Sequence, residues 1–264
     1  MKNLKKILAL VLTVVFVLGA FAGCGAKEDP KTDESVTGEI QVQKLVMATN
    51  ASFPPYEYYE GGKIVGIDAE IAAKIAEKLG RELEIVDTEF GSIVGGVQTG
   101  KFDIGMAGMT VTEERMQSVN FSETYAIGVQ SIIVKADSAY KTLDDLLDDT
   151  AAKIGVQQDT TGDIYSTDDF GEDRVVRYKT GNDAVQALVS GKVSAVIIDN
   201  EPAKSYIAAN EGLAIQDSPY TEENYAIAIA KENTELLNDI NTALAELKAD
   251  GTIQGIVDKY IPAE

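Results

Sequence analysis

Short apolar runs alternate with amphipathic segments along the chain from Leu45 to its C-terminal end. Such runs, bounded by turn residues, are typical of buried strands, and apolar residues at three- and four-residue spacing predict helices between them. We predict strands at 45–48, 83–86, 101–106, 125–134, 153–156, 175–178 and 195–198, a hairpin at 58–65, and helices at 68–79, 92–99, from 160, 182–190, 201–210, 234–249 and 252–260. The alternation predicts an α/β fold with mainly parallel sheets and flanking helices.

The ends of several elements carry their own signals. Asp68 is expected to cap the first helix and Gly80 to close it, and Asn182 is expected to cap a later helix. The pair Pro54-Pro55 predicts a loop after the first strand, because proline is incompatible with helix interiors and central strands.

Two long extended segments divide the alternation into halves. Residues 125–134 and 225–230 are apolar, and the alternation of strands and helices restarts after the first of them. We therefore predict two lobes joined by two crossings, with the terminal helices returning to the first lobe. The predicted bounds are 44–127 plus 226–264 for lobe 1 and 128–225 for lobe 2, with hinges near 126–129 and 224–227.

The N-terminal residues are expected to be a targeting signal followed by a flexible tether. Three lysines precede the apolar run 7–18, which predicts a secretory signal peptide over residues 1–23 and is short for a membrane span. Phe21-Ala22-Gly23-Cys24 resembles a lipobox, which implies lipid on Cys24, whereas Ala20-Phe21-Ala22 would suit ordinary cleavage. Residues 24–43 are polar and are predicted to be a flexible tether. We expect an extracytoplasmic protein, anchored to the cell membrane by lipid at Cys24.

Composition removes several classes of function. The formal net charge is −20 and no segment resembles a basic patch, which argues against nucleic acid as a partner. The sequence has no histidine, so histidine catalysis and histidine metal sites are excluded, and we expect neither a metal nor a cofactor. Cys24 is the single cysteine, so no intrachain disulfide can form.

Residues 104–115 combine a short strand, a turn and a helix start. Gly108 interrupts the strand and lets a ligand approach the backbone, and Thr112-Glu113-Glu114 has the polar pattern of a helix N-terminus. Such turns lie at the carboxyl ends of strands, where open α/β sheets bind ligands. Thr110 adds a hydroxyl, and Arg115 adds a planar group that matches a carboxylate. The alternative is a surface Arg115 paired with one of the two glutamates.

This stretch resembles the signature of the polar amino-acid solute-binding proteins of ABC importers. Residues 107–115 match the pattern A-G-[MI]-T-[VI]-T-x-E-R, Phe121-Ser122 matches the following F-[ST], and residues 250–253 resemble the family's ending. The resemblance runs from Leu45 to the end of the sequence. It implies a two-lobed, type II periplasmic-binding-protein-like fold. It also implies a receptor, expected to be a monomer, that captures a free polar amino acid by lobe closure and delivers it to an ABC permease.

The resemblance also implies roles at the charged ends of the ligand. Arg115 would bind the carboxylate, together with backbone amides near Thr161 at a helix N-terminus. Asp199 matches the aspartate that binds the ammonium in this family, and the Gly108 carbonyl and the Thr110 hydroxyl would complete that shell. A plain helix cap is the alternative for Thr160 and for Asp199. Asp159 stands where the family has glycine.

Other positions would contact the ligand side chain. Phe53 and Phe90 align with flanking positions, Asn50 stands where members that prefer cations often have aspartate, and Gln157 offers neutral polar contacts. The predicted binding set is Asn50, Phe53, Phe90, Gly108, Met109, Thr110, Arg115, Gln157, Thr161 and Asp199. Arg174 and Arg177 cannot be placed from sequence. We rank glutamine or arginine-like ligands above glutamate, and small apolar amino acids last.

Two other functions remain compatible with the sequence. An enzyme on the same scaffold, such as a cyclohexadienyl dehydratase-like protein, would need a general acid or base in the cleft beyond the ammonium partner. No such constellation is evident, so we predict no catalytic residue. A sensory lipoprotein without transport would carry the same binding site.

Overall fold

The computed structural model describes residues 43–217 and 219–262, and the predicted signal peptide and Cys24 lie outside this part of the chain. The described residues form two α/β lobes, each built on one main sheet. The strands are β1 Lys44–Thr49, β2 Ser52–Phe53, β3 Glu57–Glu60, β4 Lys63–Val65, β5 Glu82–Asp87, β6 Ile104–Gly105, β7 Val119–Phe121, β8 Ala126–Lys135, β9 Ile154–Gln157, β10 Val175–Tyr178, β11 Ala195–Asp199, β12 Leu213–Ile215, β13 Thr221–Tyr225 and β14 Ala228–Ala230.

Helices fill most of the predicted positions between the strands. They are α1 Ile67–Lys78, α2 Ile93–Gln98, α3 Glu113–Ser118, α4 Leu143–Asp148, α5 Thr161–Phe170, α6 Gly181–Val189, α7 Asn200–Ala209, α8 Thr234–Ala249 and α9 Thr252–Tyr260. Short 3₁₀ turns cover Phe90–Ser92 and Glu172–Arg174. Within residues 43–217 and 219–262, no helix is both long and apolar enough to cross a membrane.

The sheet of the first lobe has the order β5-β1-β6-β14-β7. Strands β5, β1 and β6 are parallel, whereas β14 runs antiparallel to both β6 and β7. Strands β2, β3 and β4 form a separate antiparallel sheet, which contains the predicted hairpin at Gly61-Gly62.

The sheet of the second lobe has the order β10-β9-β11-β8-β12, and β13 also pairs with β8. Strands β10, β9 and β11 are parallel, and β8 is antiparallel to β11, β12 and β13. Each sheet is therefore mixed rather than mainly parallel. The parallel pairs are those connected through helices, as parallel pairing requires, and the antiparallel strands are those by which the chain passes between lobes.

Strands β8 and β13 form a two-stranded ribbon between the lobes. They pair from Gln130 with Thr221 to Ala126 with Tyr225, so the predicted hinge segments lie in and beside this ribbon. Gly128 allows the close approach, because a Cβ atom there would clash with the ring of Tyr225. Tyr225 is fully buried, and this contact fixes it against β8.

The terminal helices pack on helix α1 of the first lobe. Ile71 and Ile75 of α1 lie in one fully buried cluster with Ile240 and Leu244 of α8, and α9 packs against both helices. Burial of each such side chain contributes about 1.5–3 kcal/mol to the free energy of unfolding.

The expectation that Asp68 caps the first helix is wrong. Helix α1 begins at Ile67, and the Asp68 carboxylate instead accepts hydrogen bonds from the Gly108 amide and the Tyr125 hydroxyl, each at 2.8 Å. Asp68 is fully buried, so its carboxylate serves a turn that lies far away in the sequence. Gly80 does end α1, with a left-handed φ of 63°.

The expectation for Asn182 is also wrong, by two residues. Helix α6 begins at Gly181, and the hydroxyl of Thr180 accepts a hydrogen bond from the Asp183 amide at 3.1 Å. A threonine three residues before an aspartate suits this cap, and Asn182 is already inside the first turn.

Candidate binding cleft

A narrow cavity lies between the lobes, at the carboxyl ends of several strands. The centre of a water molecule can occupy only about 20 Å³ of this cavity, so its opposite walls lie close together. The lining residues are Asn50, Phe53, Glu57, Phe90, Ala107, Gly108, Thr110, Arg115, Gln157, Thr160, Thr161 and Asp199. The cavity therefore brings together every residue of the predicted binding set except Met109.

Arg115 enters the cavity from the first turn of α3. Thr112 caps this helix by accepting the Arg115 amide at 3.1 Å. The guanidinium donates to the carbonyls of Thr110 at 2.8 Å and Asp159 at 3.1 Å, and it lies 5.2 Å from the centre of the Phe90 ring. Its other N–H groups have no hydrogen-bond acceptor in the described protein, so they can bind an anion.

Burial, more than charge, defines the environment of Arg115. The residue is 9% exposed, and desolvation lowers the pKa of its guanidinium while nearby Glu223 opposes that shift. Among the described residues it forms no salt bridge with Glu113 or Glu114. The surface ion pair considered from sequence is therefore not what holds Arg115.

The second lobe contributes the start of α5. The Thr160 hydroxyl accepts the Asp163 amide at 3.3 Å, so Thr160 is a helix cap, and Thr161 follows it, buried, at the first helical position. Asp159 has a left-handed φ of 64°, which aspartate tolerates better than most residues. The turn thus keeps the backbone conformation that suits glycine, although this chain has Asp159 where the family has glycine.

Asp199 ends β11 and lies at the N-terminus of α7. Its side chain makes no capping hydrogen bond to the helix. Instead its carboxylate accepts hydrogen bonds from Gln130 at 2.8 Å and from the Tyr225 hydroxyl. Burial, followed by the nearby charge of Glu223, raises the pKa of Asp199 to about 7. A buried carboxylate of this kind favours a cation that can share the cavity.

The turn at Gly108 shapes the opposite wall. Gly108 has a φ of 52°, and a Cβ atom there would lie 2.7 Å from the Phe53 ring, so the backbone is tightly held. Met109 does not line the cavity: its side chain is fully buried in the apolar cluster that includes Ile93 and Val97. The signature residue thus supports the turn from behind, because successive side chains in an extended segment point to opposite sides.

Polar side chains link the two walls directly. The Gln157 amide donates to the side-chain oxygen of Asn50 at 2.8 Å and to the Lys179 carbonyl at 3.2 Å. Asn50 also donates to the carbonyl of Thr88 at 2.8 Å. Asn50 and Gln157 therefore lie in the cavity as a hydrogen-bonded pair with one member from each lobe.

Glu57, which was not among the predicted binding residues, also lines the cavity, at 1% exposure. Because Glu57 directly follows Pro54-Pro55 and Tyr56, the sequence pattern did not indicate that it begins a strand and faces the cavity. A carboxylate within an aromatic and proline-rich segment was the signal available. Gln130 and Tyr225, which hold Asp199, were missed because β8 and β13 meet only in the fold.

The two arginines that sequence could not place lie away from the cavity. Arg177 pairs with Asp163 at 2.9 Å and Glu172 at 2.6 Å, behind α5. Arg174 donates to the carbonyl of Ala152 at 3.0 Å. Neither lines the cavity, so Arg115 is its basic lining residue.

Two α/β lobes enclose a cleft, to which the first lobe contributes the guanidinium of Arg115 and the second the carboxylate of Asp199. This arrangement defines a small-molecule binding protein of the type II periplasmic class. The chain belongs to the bacterial extracellular solute-binding proteins, family 3, whose family model matches residues 45–263.

Individual relatives agree with this family. The chain is 32% identical to the arginine-binding extracellular protein ArtP of Bacillus subtilis, over 97% of this chain and 98% of ArtP. It is 30% identical to the ABC transporter glutamine-binding protein GlnH of the same species, over 99% and 100%. It also resembles the solved structure of an ancestral arginine-binding protein bound to glutamine, with a TM-score of 0.78 and 38% identity over 83% of this chain and 98% of that one.

Proposed function

We propose that this protein is an extracytoplasmic receptor that captures a free polar amino acid and delivers it to an ABC permease. The observation that carries this proposal is the placement of Arg115 and Asp199, which come from opposite lobes and line one small cavity. A guanidinium and a carboxylate held in this way complement the carboxylate and ammonium of an α-amino acid. Two relatives bind such amino acids: ArtP is an arginine-binding protein and GlnH is a glutamine-binding protein.

Each end of the ligand has a defined set of partners. The ligand carboxylate binds the unoccupied N–H groups of Arg115 and the amide of Thr161 at the N-terminus of α5, where the helix dipole favours an anion. The ligand ammonium binds the carboxylate of Asp199, the carbonyl of Gly108 and the hydroxyl of Thr110. Both sets combine charge with hydrogen bonding, which makes the contacts strong in a buried site.

The side-chain part of the cavity favours arginine, with glutamine second. Phe53 and Phe90 provide aromatic walls, which attract a guanidinium. Asn50 and Gln157 provide neutral polar groups, and Glu57 adds a buried carboxyl that a cationic side chain can pair with. Among the residues that the structure describes, Arg115 is the only basic one that lines the cavity, so glutamate ranks lower, and small apolar amino acids rank last.

The cellular setting belongs to the same proposal. Residues 1–23 are the signal peptide, Cys24 carries lipid and residues 24–43 are the tether. We assign residues 44–127 and 226–264 to lobe 1 and residues 128–225 to lobe 2. Incorporation of a radiolabelled fatty acid by the wild type and its loss in Cys24→Ala would support the anchor. Cleavage after Ala22 without label would overturn it. The folded protein works as a monomer, and sedimentation of the purified protein tests this.

A binding role without catalysis completes the proposal. The Asp199 carboxylate is buried and held by hydrogen bonds from Gln130 and Tyr225, which suits holding a charged ligand rather than moving a proton to it during a reaction. Incubation with prephenate-like cyclohexadienyl acids and product analysis would test the alternative. Turnover of any of them would contradict a purely receptive role.

Thermal-shift screening of the amino acids, followed by calorimetry, tests the ligand class. A ligand present at about 100 times its dissociation constant should raise the free energy of unfolding by about 2.7 kcal/mol. Arginine and glutamine should give the largest shifts, and glutamate and leucine the smallest. Tightest binding of glutamate or leucine would overturn the ranking.

A further inference from the structure

Two buried carboxyl groups meet at the wall of the cavity. Glu57, the first residue of β3, lines the cavity at 1% exposure, and Asp68, in the first turn of α1, is fully buried behind it. Glu57 Oε2 and Asp68 Oδ1 have no hydrogen-bond donor among the described protein groups. Two acceptors left without donors at adjacent buried sites require a proton between them or a cation beside them.

The other oxygen of Asp68 is fully occupied. Asp68 Oδ2 accepts the Gly108 amide and the Tyr125 hydroxyl, each at 2.8 Å. These donors stabilise the charged form of Asp68, whereas Glu57 has no comparable donors. The carboxylate therefore belongs to Asp68 and the proton to Glu57, which donates it to Asp68.

The groups that surround Glu57 reinforce this assignment. Besides Asp68, the acidic side chains whose charges disfavour ionisation of Glu57 are Asp199 and Asp87. The buried hydroxyl groups near Glu57 belong to Tyr56, Tyr125 and Tyr206. Arg115 is the basic residue that lines the same cavity. Burial and these like charges raise the pKa of Glu57 well above its usual range, and burial raises that of Asp68 to about 6.

We propose that Glu57 and Asp68 share one proton and that this pair reads the charge of the ligand side chain. When a guanidinium or ammonium enters, Glu57 gives up the proton to solvent and becomes the carboxylate partner of the cation. When an amide enters, Glu57 stays neutral and forms an ordinary hydrogen bond with it. The inference rests on the proposed function and explains how one cavity can accept both arginine and glutamine.

A metal ion is not the natural occupant of the pair. Across residues 43–217 and 219–262, no group of three or more cysteine, aspartate or glutamate side chains is arranged to hold one. Two carboxyl groups, one already bonded to an amide and a hydroxyl, offer too few oxygens for the six to eight ligands that calcium prefers.

The pair predicts a pH dependence that separates it from Asp199. Asp199 contacts the ammonium that all amino acids share, so its titration changes the affinity for arginine and for glutamine alike. Release of the Glu57 proton affects arginine alone. The ratio of arginine affinity to glutamine affinity should therefore rise with pH, by up to about tenfold per pH unit while Glu57 is protonated in the free protein.

Calorimetry in buffers with different ionisation enthalpies measures the released proton directly. With the wild type at about pH 7, binding of arginine should release about one more proton than binding of glutamine does. Glu57→Gln keeps a neutral side chain of similar shape. It should lower the affinity for arginine by about tenfold or more and change the affinity for glutamine by less than about threefold. It should also abolish the difference in proton release between the two ligands. Glu60→Gln, on the exposed part of the same strand, is the matched control and should change neither ligand.

The outcomes separate the pair from the proposed function. Equal proton release by arginine and glutamine in the wild type would overturn the pair while the receptor role stands, and this result needs no variant to fold. Equal weakening of both ligands by Glu57→Gln would also overturn it. Failure of the wild type to bind any amino acid would overturn the receptor role itself.

Discussion

At the residue scale, Arg115 should decide whether the ligand carboxylate is bound at all. Its guanidinium is held by the Thr110 and Asp159 carbonyls and keeps further N–H groups for the ligand. Arg115→Ala should reduce amino-acid affinity at least about a hundredfold, and Arg115→Lys should also bind poorly, because a point charge cannot replace the planar fork. Calorimetry measures both, with Arg81→Ala, outside the cavity, as control. Near-native affinity in either variant would remove Arg115 from the site.

Asp199 separates two explanations that the sequence left open. Its side chain makes no capping bond, so its charge is expected to serve the ligand ammonium rather than α7. Asp199→Asn should weaken every amino-acid ligand by about tenfold or more, because a charge-assisted contact becomes neutral. The melting temperature of the ligand-free protein should change by only a few degrees. Unchanged affinity with a clearly lower melting temperature would identify a structural residue instead.

The buried acids should also make stability depend on pH in an unusual direction. Folding raises the pKa of Asp199 to about 7 and of Asp68 to about 6, from ordinary values of 3.8. Between about pH 4 and about pH 7 the folded state therefore binds more protons than the unfolded state, and stability falls as pH rises, on the order of 1 kcal/mol per pH unit. Thermal unfolding of the ligand-free protein checks this, and Asp199→Asn should flatten the upper part of the curve. A stability that rises with pH across this range would contradict the assignment.

Much of the candidate site was readable from sequence at this scale, for a physical reason. Gly108 and Arg115 lie within one short stretch, so local order along the chain fixes their spacing. Asp68 and Glu57 were misread or missed because their partners are distant in sequence. A buried carboxylate that serves a remote amide looks, in the sequence alone, like a helix cap or a surface acid.

At the element scale, the periodicity of apolar residues predicted strands and helices well, and the pairing of strands less well. Helices α8 and α9 have the predicted bounds, because a long amphipathic pattern determines a helix locally. The antiparallel entry of β8 and β14 into the two sheets was not predicted. Strand direction depends on how the chain crosses between lobes, which no local pattern encodes.

The ribbon of β8 and β13 gives a prediction at this scale. A Cβ atom at Gly128 would clash with the ring of Tyr225, whose hydroxyl donates to Asp199. Gly128→Ala should lower the free energy of unfolding by about 1–3 kcal/mol and weaken ligand binding as Tyr225 moves. Gly255→Ala, in α9 with open space around it, is the matched control and should be neutral or stabilising. Urea unfolding and calorimetry measure both, and equal stability of the two variants would contradict the packing argument.

At the scale of the whole molecule, the lobes meet through polar contacts that sequence could not reveal. Gln157 donates to Asn50 at 2.8 Å, the Tyr206 hydroxyl donates to the Ser52 carbonyl at 2.6 Å, and Arg115 reaches the Asp159 carbonyl at 3.1 Å. Each contact joins one lobe to the other, so the structure represents a closed arrangement. A ligand of about ten heavy atoms can reach a cavity enclosed in this way only when these contacts open.

Closure should therefore be an equilibrium that the ligand shifts, because it contacts both lobes only in the closed form. Tyr206→Phe removes one contact that joins the lobes without touching the cavity, so it should favour the open form, enlarge the radius of gyration of the ligand-free protein and weaken binding several-fold. Solution scattering should give the same compact profile for wild type and variant at saturating arginine. Tyr59→Phe, which removes a hydrogen bond within the first lobe, is the control. If wild-type profiles with and without saturating ligand coincide, the lobes do not move and Arg115 and Asp199 cannot bind one ligand by closure.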